Sequence, residues 1–365
     1  MTRPIHASID LAALRHNFSV ARRYAGSARV WAVLKANAYG HGLLRVAQAL
    51  ADCADGFALI EIENAIAMRQ AGLRQPILLL EGCYAADELP LIAEYELTPV
   101  VHSLHQVQML IASRLPAGGR LPVYLKLNTG MNRLGLNYNE LDDAMKALSA
   151  ASHVGAITLM THFADADCGP DGPGVGAQMG RLTAMRSEST HPLSLANSAA
   201  LLRYPETLGS GRDWARAGIM LYGSSPFPEL KSAAALELQP VMTLTSELIS
   251  VRHLAPGDRI GYGGTFIADA PMTVGVVACG YADGYPRHAP TGTPVLVAGL
   301  RSRTLGRISM DKICVDLTGI PRAGVGSPVV LWGKGLPADE VAAAAGTISY
   351  ELFCALAARV RVVEV

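Results

Sequence analysis

The feature that most constrains the fold of this chain is a regular alternation of short apolar runs with helical patterns, from Val30 to about Gly223. Such alternation is typical of βα units around a parallel sheet. The candidate strands are Val30–Leu34, Phe57–Ile60, Ile77–Leu80, Thr98–Val101, Pro122–Asn128, Gly155–His162, Leu193–Asn197 and Ala217–Tyr222. Eight strands in roughly 200 residues predict a closed (β/α)8 TIM barrel and favour it over an open doubly wound sheet.

The pattern changes after about Ala235, where β-rich segments separated by Gly, Pro and Asp turns replace the βα alternation. These segments are Val241–Leu254, Thr273–Gly280, Thr293–Ala298, Arg303–Leu317 and Pro328–Leu331. They predict a second, mostly β domain. We therefore divide the chain into a barrel at residues 1–235 and a β domain at residues 236–365, and expect residues 1–10 to pack with the β domain.

Charge and composition limit the partners that this chain can bind. Lys and Arg number 31, Asp and Glu also number 31, and no long block of like charge occurs. Nucleic acids and anionic membranes bind proteins that carry a strong positive field, which this balanced charge does not produce. Binding to either is therefore not predicted. Only 17% of the residues are charged and 50% are hydrophobic, which predicts extensive buried surface, including a subunit interface.

Export and membrane insertion are not predicted either. No uncharged stretch provides the roughly 18 apolar residues that a membrane span needs, and residues 1–10 contain no apolar signal core. The six cysteines are scattered, without a C-x-x-C pair or a Cys/His cluster at zinc spacing. We therefore expect free thiols, no metal site and a cytoplasmic location.

Lys35 is the first residue whose position suggests chemistry. It directly follows the apolar run Val30–Leu34, and function in a β/α barrel collects at the carboxyl ends of the strands. A lysine desolvated there has a lowered pKa and can form a Schiff base. Position alone leaves a lysine that extends into solvent as an equal alternative. Gly40 and Gly42 favour the first interpretation, because glycine permits close approach of the backbone to a ligand.

The segment VLKANAYGHG, which contains Lys35, resembles the pyridoxal 5′-phosphate (PLP) lysine motif of the alanine racemases. Further segments resemble motifs of that family, in the family's order: KLNTGMNRLG, THFADAD, NSAA, RAGIMLYG, GYGGTF, GYADGYPR, GRISMD and TISYEL. Together they span both predicted domains. The resemblance implies a barrel followed by a β domain, PLP as cofactor, and a homodimer with composite active sites that racemises alanine.

By that resemblance, Lys35 holds PLP and acts as one of two proton-transfer bases, and Tyr262 of the partner subunit is the other. Racemisation removes a proton from one face of Cα and returns it to the opposite face, so two opposed bases suit the reaction. His162 and Arg216 match the residues that relay positive character to the tyrosine. Without the resemblance, Tyr262 in a Gly-rich turn and Arg216 before an apolar strand would be interpreted as surface residues.

Three further groups of residues take their roles from the resemblance. The phosphate contacts are Tyr39, Ser198, Tyr350 and the backbone N–H groups of Gly218 and Ile219. The contacts to the substrate carboxylate are the Arg133 side chain and the Met310 backbone N–H of the partner subunit, and the substrate corridor comprises Tyr281, Asp167, Arg287, Arg307 and Ile348. For Ser198 alone, a helix N-cap is the simpler interpretation.

Lys126 is predicted to point into the barrel. In the run Val123–Asn128, strand alternation places Lys126 on the face opposite the aliphatic side chains. A buried cation near Arg133 is unfavourable, and some members of the family carbamylate the matching lysine, which turns it into an anion. We predict that modification here. Asn128 stands where many relatives have aspartate, which bears on how Lys126 and Arg133 are held.

The sequence leaves other functions open. The same cofactor could serve a racemase of serine or of a broader range of small amino acids, because steric selection is worth only about 1–3 kcal/mol per methylene. A non-catalytic PLP carrier built on a single barrel is a different class of protein, which the second domain with Tyr262 disfavours. An aldolase using Lys35 without PLP would leave the phosphate-site residues unexplained.

Overall fold

The structure, a computed structural model, describes residues 3–113, 120–186 and 189–365. Strand β1, His6–Ile9, precedes eight parallel strands: β2 Arg29–Val33, β3 Gly56–Leu59, β4 Ile77–Leu79, β5 Leu97–Val101, β6 Leu121–Lys126, β7 Val154–Met160, β8 Leu193–Ser194 and β9 Trp214–Ala217. Strands β2 to β8 pair in sequence order and β9 pairs with β2. The Arg216 N–H donates to the carbonyl of Ala196 beyond β8, which closes the ring. The predicted barrel is confirmed.

Helices alternate with these strands and pack their buried residues against the barrel. The first helix begins where the Asp10 side chain accepts a hydrogen bond from the Ala13 N–H at 2.8 Å, which satisfies an otherwise free helix N–H group. The helices of this domain are α1 Leu11–Ala25, α2 Lys35–Tyr39, α3 Leu43–Ala49, α4 Ile62–Gln70, α5 Leu89–Glu94, α6 Leu104–Ala112, α7 Tyr138–Ala150, α8 Gly176–Arg186 and α9 Ser198–Arg203.

The second domain is mostly β, as predicted. Its strands are β10 Met242–Leu254, β11 Arg259–Ile260, β12 Phe266–Ile267, β13 Met272–Val277, β14 Pro294–Val297, β15 Leu300–Leu305, β16 Ile313–Asp316, β17 Pro328–Trp332 and β18 Arg361–Glu364. The long strand β10 pairs with both β17 and β13, so six strands form a closed ring. Strand β1 adds to β10 and β18 adds to β1, so the N-terminal segment belongs to this sheet. Helices α10, Ala338–Ala344, and α11, Ser349–Cys354, precede β18.

The last barrel strand lies earlier in the chain than the predicted Ala217–Tyr222. Strand β9 ends at Ala217, and Ile219–Tyr222 forms a 3-10 turn that is buried throughout. A short apolar run has the same pattern whether it is a buried strand or a buried turn. The pattern therefore placed the last strand at the residues of the turn. Arg216 consequently lies inside the strand rather than before it.

Gly40 and Gly42 allow other parts of the protein to pack closely against the backbone. The sequence-based interpretation had assigned them to the close approach of a ligand instead. A Cβ at Gly40, where φ is +75°, would overlap the carbonyl oxygen of Phe353 in α11. A Cβ at Gly42 would meet the Arg45 guanidinium. The turn after Lys35 therefore lies directly against the second domain. Among the described residues, no helix is long and apolar enough to cross a membrane.

Candidate active site

A cavity of about 600 Å³ opens at the carboxyl ends of the barrel strands. Eleven predicted site residues line it, although they come from well separated motifs. They are Lys35, Tyr39, Lys126, Arg133, His162, Asp167, Ser198, Arg216, Gly218, Ile219 and Tyr350. Parallel strands bring their carboxyl ends to one rim, so residues distant in sequence meet there. Tyr350 reaches the rim because α11 folds back onto the barrel, where its ring centroid is 5.9 Å from that of Tyr39.

Lys35 enters the cavity from an unusual backbone turn. The four residues that follow it, Ala36–Tyr39, all have φ between 51° and 54°, a left-handed conformation that non-glycine residues rarely adopt. The turn is held by the Asn37 side chain, which accepts a hydrogen bond from the Leu43 N–H at 2.8 Å. Burial, and then the positive charge of Arg133, lower the pKa of Lys35. The amine is therefore more readily neutral and nucleophilic than an exposed lysine.

One wall of the cavity carries hydroxyl and N–H groups. The Ser198 hydroxyl accepts a hydrogen bond from the Gly218 N–H at 2.9 Å, and a Cβ at Gly218 would lie 2.8 Å from the Tyr39 hydroxyl. Ser198 is not the helix N-cap that the sequence suggested. Asn197 caps α9 by accepting a hydrogen bond from the Ala200 N–H, which leaves the Ser198 hydroxyl directed towards the cavity wall.

Arg216 is a buried cation without an acidic partner among the described residues. Its guanidinium donates to the carbonyl oxygens of Ser194 at 2.6 Å, Thr161 at 2.7 Å and Leu195 at 3.0 Å. Burial lowers its pKa to about 10, so it remains charged at neutral pH. The His162 Nδ1 atom lies 3.4 Å from Nη2 of Arg216. Burial and the neighbouring Arg216 charge lower the pKa of His162 well below its usual value, so its ring is neutral.

Lys126 points into the cavity, as its strand alternation predicted. Burial, followed by the charges of Arg216 and Arg133, lowers its pKa to about 8. Asn128 shapes the adjacent loop, because its side-chain oxygen accepts hydrogen bonds from the N–H groups of Gly130 and Asn132 at 3.2 and 3.1 Å. The loop that carries Arg133 is therefore organised by a neutral amide rather than by a carboxylate.

The cavity has an excess of positive charge. Four cationic side chains line it, and the acidic side chains among its described lining residues are Asp167 and Glu81. Glu81 was not among the site residues predicted from the sequence. It lies two residues beyond the end of β4, and functional side chains of a barrel lie at the carboxyl ends of its strands. This position could have identified Glu81 as a candidate site residue. Such a charge balance suits a ligand that carries several negative charges.

Six predicted site residues do not line this cavity. Tyr262, Met310, Tyr281, Arg287 and Arg307 lie in the second domain, and all five side chains are exposed; the exposed fraction of Tyr262 reaches 70%. Ile348 lines a neighbouring cavity of about 860 Å³, which shares Asp167 and Tyr350 with the first. Within the part of the chain that the structure describes, one subunit thus brings Lys35 and its surroundings together but leaves Tyr262 at the surface.

Comparison with known proteins identifies the family. Residues 9–226 match the family described as "Alanine racemase, N-terminal domain", and residues 241–364 match "Alanine racemase, C-terminal domain". The chain belongs to the alanine racemase family. An alanine racemase of Nitrosomonas eutropha is 55% identical over 99% of this chain and 98% of its own length. A catabolic alanine racemase of Klebsiella aerogenes is 52% identical over 100% and 99% of the two chains.

The fold agrees with that membership. The crystal structure of the biosynthetic alanine racemase of Pseudomonas aeruginosa is similar with a TM-score of 0.95 at 45% identity, covering 100% of both chains. An alanine racemase of Acinetobacter baumannii is similar with a TM-score of 0.92 at 36% identity, again over 100% of both chains. The family membership suggested by the motif resemblance is confirmed, and so are the two-domain fold and the enzyme class.

Proposed function

We propose that this protein catalyses the PLP-dependent interconversion of L-alanine and D-alanine. The observation that carries the proposal is the cavity in which Lys35, with its lowered pKa, shares an excess of positive charge with the buried Arg216. The comparisons support alanine as the substrate, because relatives that span the whole chain are named alanine racemases. The second candidate is a racemase of serine or of other small amino acids, and the assay described below distinguishes the two.

The residues present fit PLP. Its anionic phosphate would bind at the wall formed by Tyr39, Ser198, Tyr350 and the N–H groups of Gly218 and Ile219, where donors are plentiful. Lys35 would hold the cofactor covalently, and Arg216 with His162 would contact its ring. When bound, PLP stabilises negative charge at the substrate Cα. Because the Arg216 guanidinium keeps its proton, it would hydrogen-bond to the ring without transferring a proton to it.

The protein's own contribution is to move a proton between the two faces of Cα. Lys35 Nζ would accept or return the proton on one face, aided by its lowered pKa. Tyr262 Oη of the partner subunit would act on the other face. A phenol ordinarily has a pKa near 10, so it serves as a base only beside positive charge. The cationic lining around His162 and Arg216 would provide that charge.

Substrate binding would use the remaining cations. Arg133 would bind the substrate carboxylate together with the backbone N–H of Met310 of the partner subunit, since a guanidinium matches the geometry of a carboxylate. Tyr281, Arg287, Arg307, Asp167 and Ile348 would form the corridor that admits small amino acids. Both a homodimer and the exposed position of Tyr262 fit this arrangement. We place the protein in the cytoplasm, where D-alanine would be produced for peptidoglycan or degraded.

The test is a measurement of D-alanine formation from L-alanine, combined with an absorption spectrum of the purified protein. We expect visible absorption from lysine-bound PLP, which Lys35→Ala should abolish, and production of D-alanine. Arg301→Ala, at an exposed ion pair with Glu340 in the second domain, is the matched control and should retain both. Lack of D-alanine formation by protein that contains PLP would refute the proposed function, and faster turnover of serine would favour the second candidate.

A further inference from the structure

A buried carboxylate lies in the second domain, outside the cavity described above. The side chain of Asp283 has no exposed surface, yet two arginines distant in sequence bind it. Arg3 donates to both carboxylate oxygens at 2.8 and 3.1 Å, and Arg359 donates through Nε at 2.7 Å. The N–H of Gly280 donates to the same carboxylate at 2.9 Å. This cluster joins three segments of the chain: its beginning, its end and the turn around Asp283.

The turn bound by Asp283 carries Tyr281 and is fastened to the loop that carries Met310. The N–H of Tyr281 donates to the carbonyl of Ser309 at 3.1 Å, and the N–H of Ala282 donates to the carbonyl of Met310 at 3.0 Å. A Cβ at Gly280 would overlap both of these carbonyl oxygens, so the two backbones are in direct contact. The turn that carries Tyr281 and the loop that carries Met310 are therefore packed together as one unit.

Arg359 bridges the two halves of this unit. Its Nε atom binds Asp283 in the Tyr281 turn, and its Nη2 atom binds the Asp311 carboxylate, next to Met310, at 2.5 Å. A planar guanidinium fixes the direction of each of its hydrogen bonds, so Arg359 ties the two carboxylates together, and Arg3 supports this link by donating to the Asp311 carbonyl at 3.4 Å. Neither Asp283 nor Arg359 lines the cavity, and no step of the proposed reaction uses them.

We propose that Arg359, acting through Asp283 and Asp311, is a positioning residue that sets the affinity for the substrate carboxylate. It holds the Met310 N–H and Tyr281 in one rigid arrangement, ready to complete the partner subunit's site. The inference rests on the proposed roles of Met310 and Tyr281. Because the carboxylate is common to L-alanine and D-alanine, loss of this arrangement weakens binding of both enantiomers equally. The proton transfers at Cα are unaffected.

The experiment compares Arg359→Gln with the wild-type protein loaded with PLP. We expect KM for both enantiomers to rise about tenfold while kcat stays within about twofold, since a small misplacement of a binding group is costly. Acetate carries a carboxylate but no amine, and its dissociation constant, measured from thermal shifts without turnover, should rise by the same factor. Arg301→Gln is the matched control, because it removes another arginine–carboxylate pair of the same domain. If Arg359→Gln does not fold, Asp311→Asn at the half-exposed end of the bridge should raise KM about threefold.

Unchanged KM and acetate binding in both bridge variants would overturn the inference. A fall in kcat at constant KM would also overturn it, because that result would place the cluster in proton transfer. Arg133→Gln tests the proposed carboxylate site separately from the role of Arg359. If Arg133→Gln weakens acetate binding and the bridge variants do not, only the role of Arg359 is wrong. The acetate measurement still decides the inference if the wild-type protein does not racemise alanine.

Discussion

Two neighbouring side chains, Arg216 and His162, show how burial sets protonation in this cavity. Arg216 remains a cation because its pKa of about 10 lies above neutrality, whereas the pKa of His162 falls so far that its ring is neutral. Both shifts follow from the cost of placing charge away from water. Arg216 uses its guanidinium to donate to the backbone carbonyl oxygens of Ser194 and Thr161. His162 can then relay a hydrogen bond without adding charge.

The depressed pKa of His162 predicts a dependence of stability on pH. Below about pH 6.5 an unfolded histidine binds a proton and the folded His162 does not, so its effect is to make the protein less stable as pH falls. Between pH 6.5 and 5 this costs up to about 2 kcal/mol. His162→Gln should therefore lose less stability between pH 7 and pH 5 than the wild type, measured by urea unfolding. His253→Gln, at an exposed histidine, should behave as wild type. Identical pH profiles for His162→Gln and wild type would contradict the neutral ring.

Lys126 should bind CO2 as a carbamate. Carbamylation needs a neutral amine, and a pKa of about 8 makes that form accessible near neutrality. The carbamate would be an anion between Arg133 and Arg216, which relieves the repulsion among the three cations. With 13C-labelled bicarbonate, the carbamate signal should grow as pH rises from about 7 to 9 and should be absent from Lys126→Met. A wild-type spectrum without that signal throughout this range would contradict the prediction.

Among the structural elements, the contact between the α2 turn and α11 joins the two domains at the active site. Gly40 lies against the backbone of Phe353, and the His41 ring packs edge-on against the Phe353 ring at 5.1 Å. Lys35 and Tyr39 come from one side of this contact and Tyr350 comes from the other. The contact therefore sets the distance between the Tyr350 and Tyr39 rings, whose centroids lie 5.9 Å apart.

Gly40→Ala should destabilise this contact severely. The substitution adds a Cβ at a positive φ and forces it into the Phe353 carbonyl, so we expect a loss of about 3 kcal/mol or more in the free energy of unfolding. Gly292→Ala is the matched control, because φ is also positive, +99°, but no atom lies within 4 Å of the added Cβ. It should cost about 1 kcal/mol, the conformational cost alone. Equal losses in urea unfolding would show that the approach to Phe353 is not the cause.

The elements also show what the sequence could and could not predict. Buried parallel strands such as Ile77–Leu79 are short apolar runs, so counting such runs predicted the barrel. The same rule misplaced the last strand, because Ile219–Tyr222 is apolar and buried without being extended. Lys35 and Lys126 could be placed because each lies at the end of a strand. The Asp283 cluster could not, since its partners Arg3 and Arg359 are brought to it only by the folded second sheet.

At the scale of the whole molecule, the residues of the proposed active site lie on both domains. The cavity with Lys35 lies in the barrel, while Tyr262, Met310 and Tyr281 are exposed on the second domain. Exposed aromatic and apolar side chains of this kind are typical of an interface. In a twofold symmetric dimer, each surface contributes to both sites, so the residues that are missing from one cavity can be provided by the partner subunit.

This division predicts complementation between inactive variants. Under the proposed mechanism, Lys35→Ala lacks one base in its own cavity and Tyr262→Phe lacks the base that it lends to the partner. A hybrid dimer would then contain one site with both bases. Random pairing makes about half of the dimers hybrid, each with one working site, so co-expression should restore about a quarter of wild-type activity. Lys35→Ala co-expressed with Arg133→Ala is the control, because both residues line the same cavity and every site stays damaged. Hybrids purified through two different tags remove any doubt about pairing. If those hybrids are as inactive as the control, Tyr262 does not act across the interface, and the two-base arrangement must be rejected in this form.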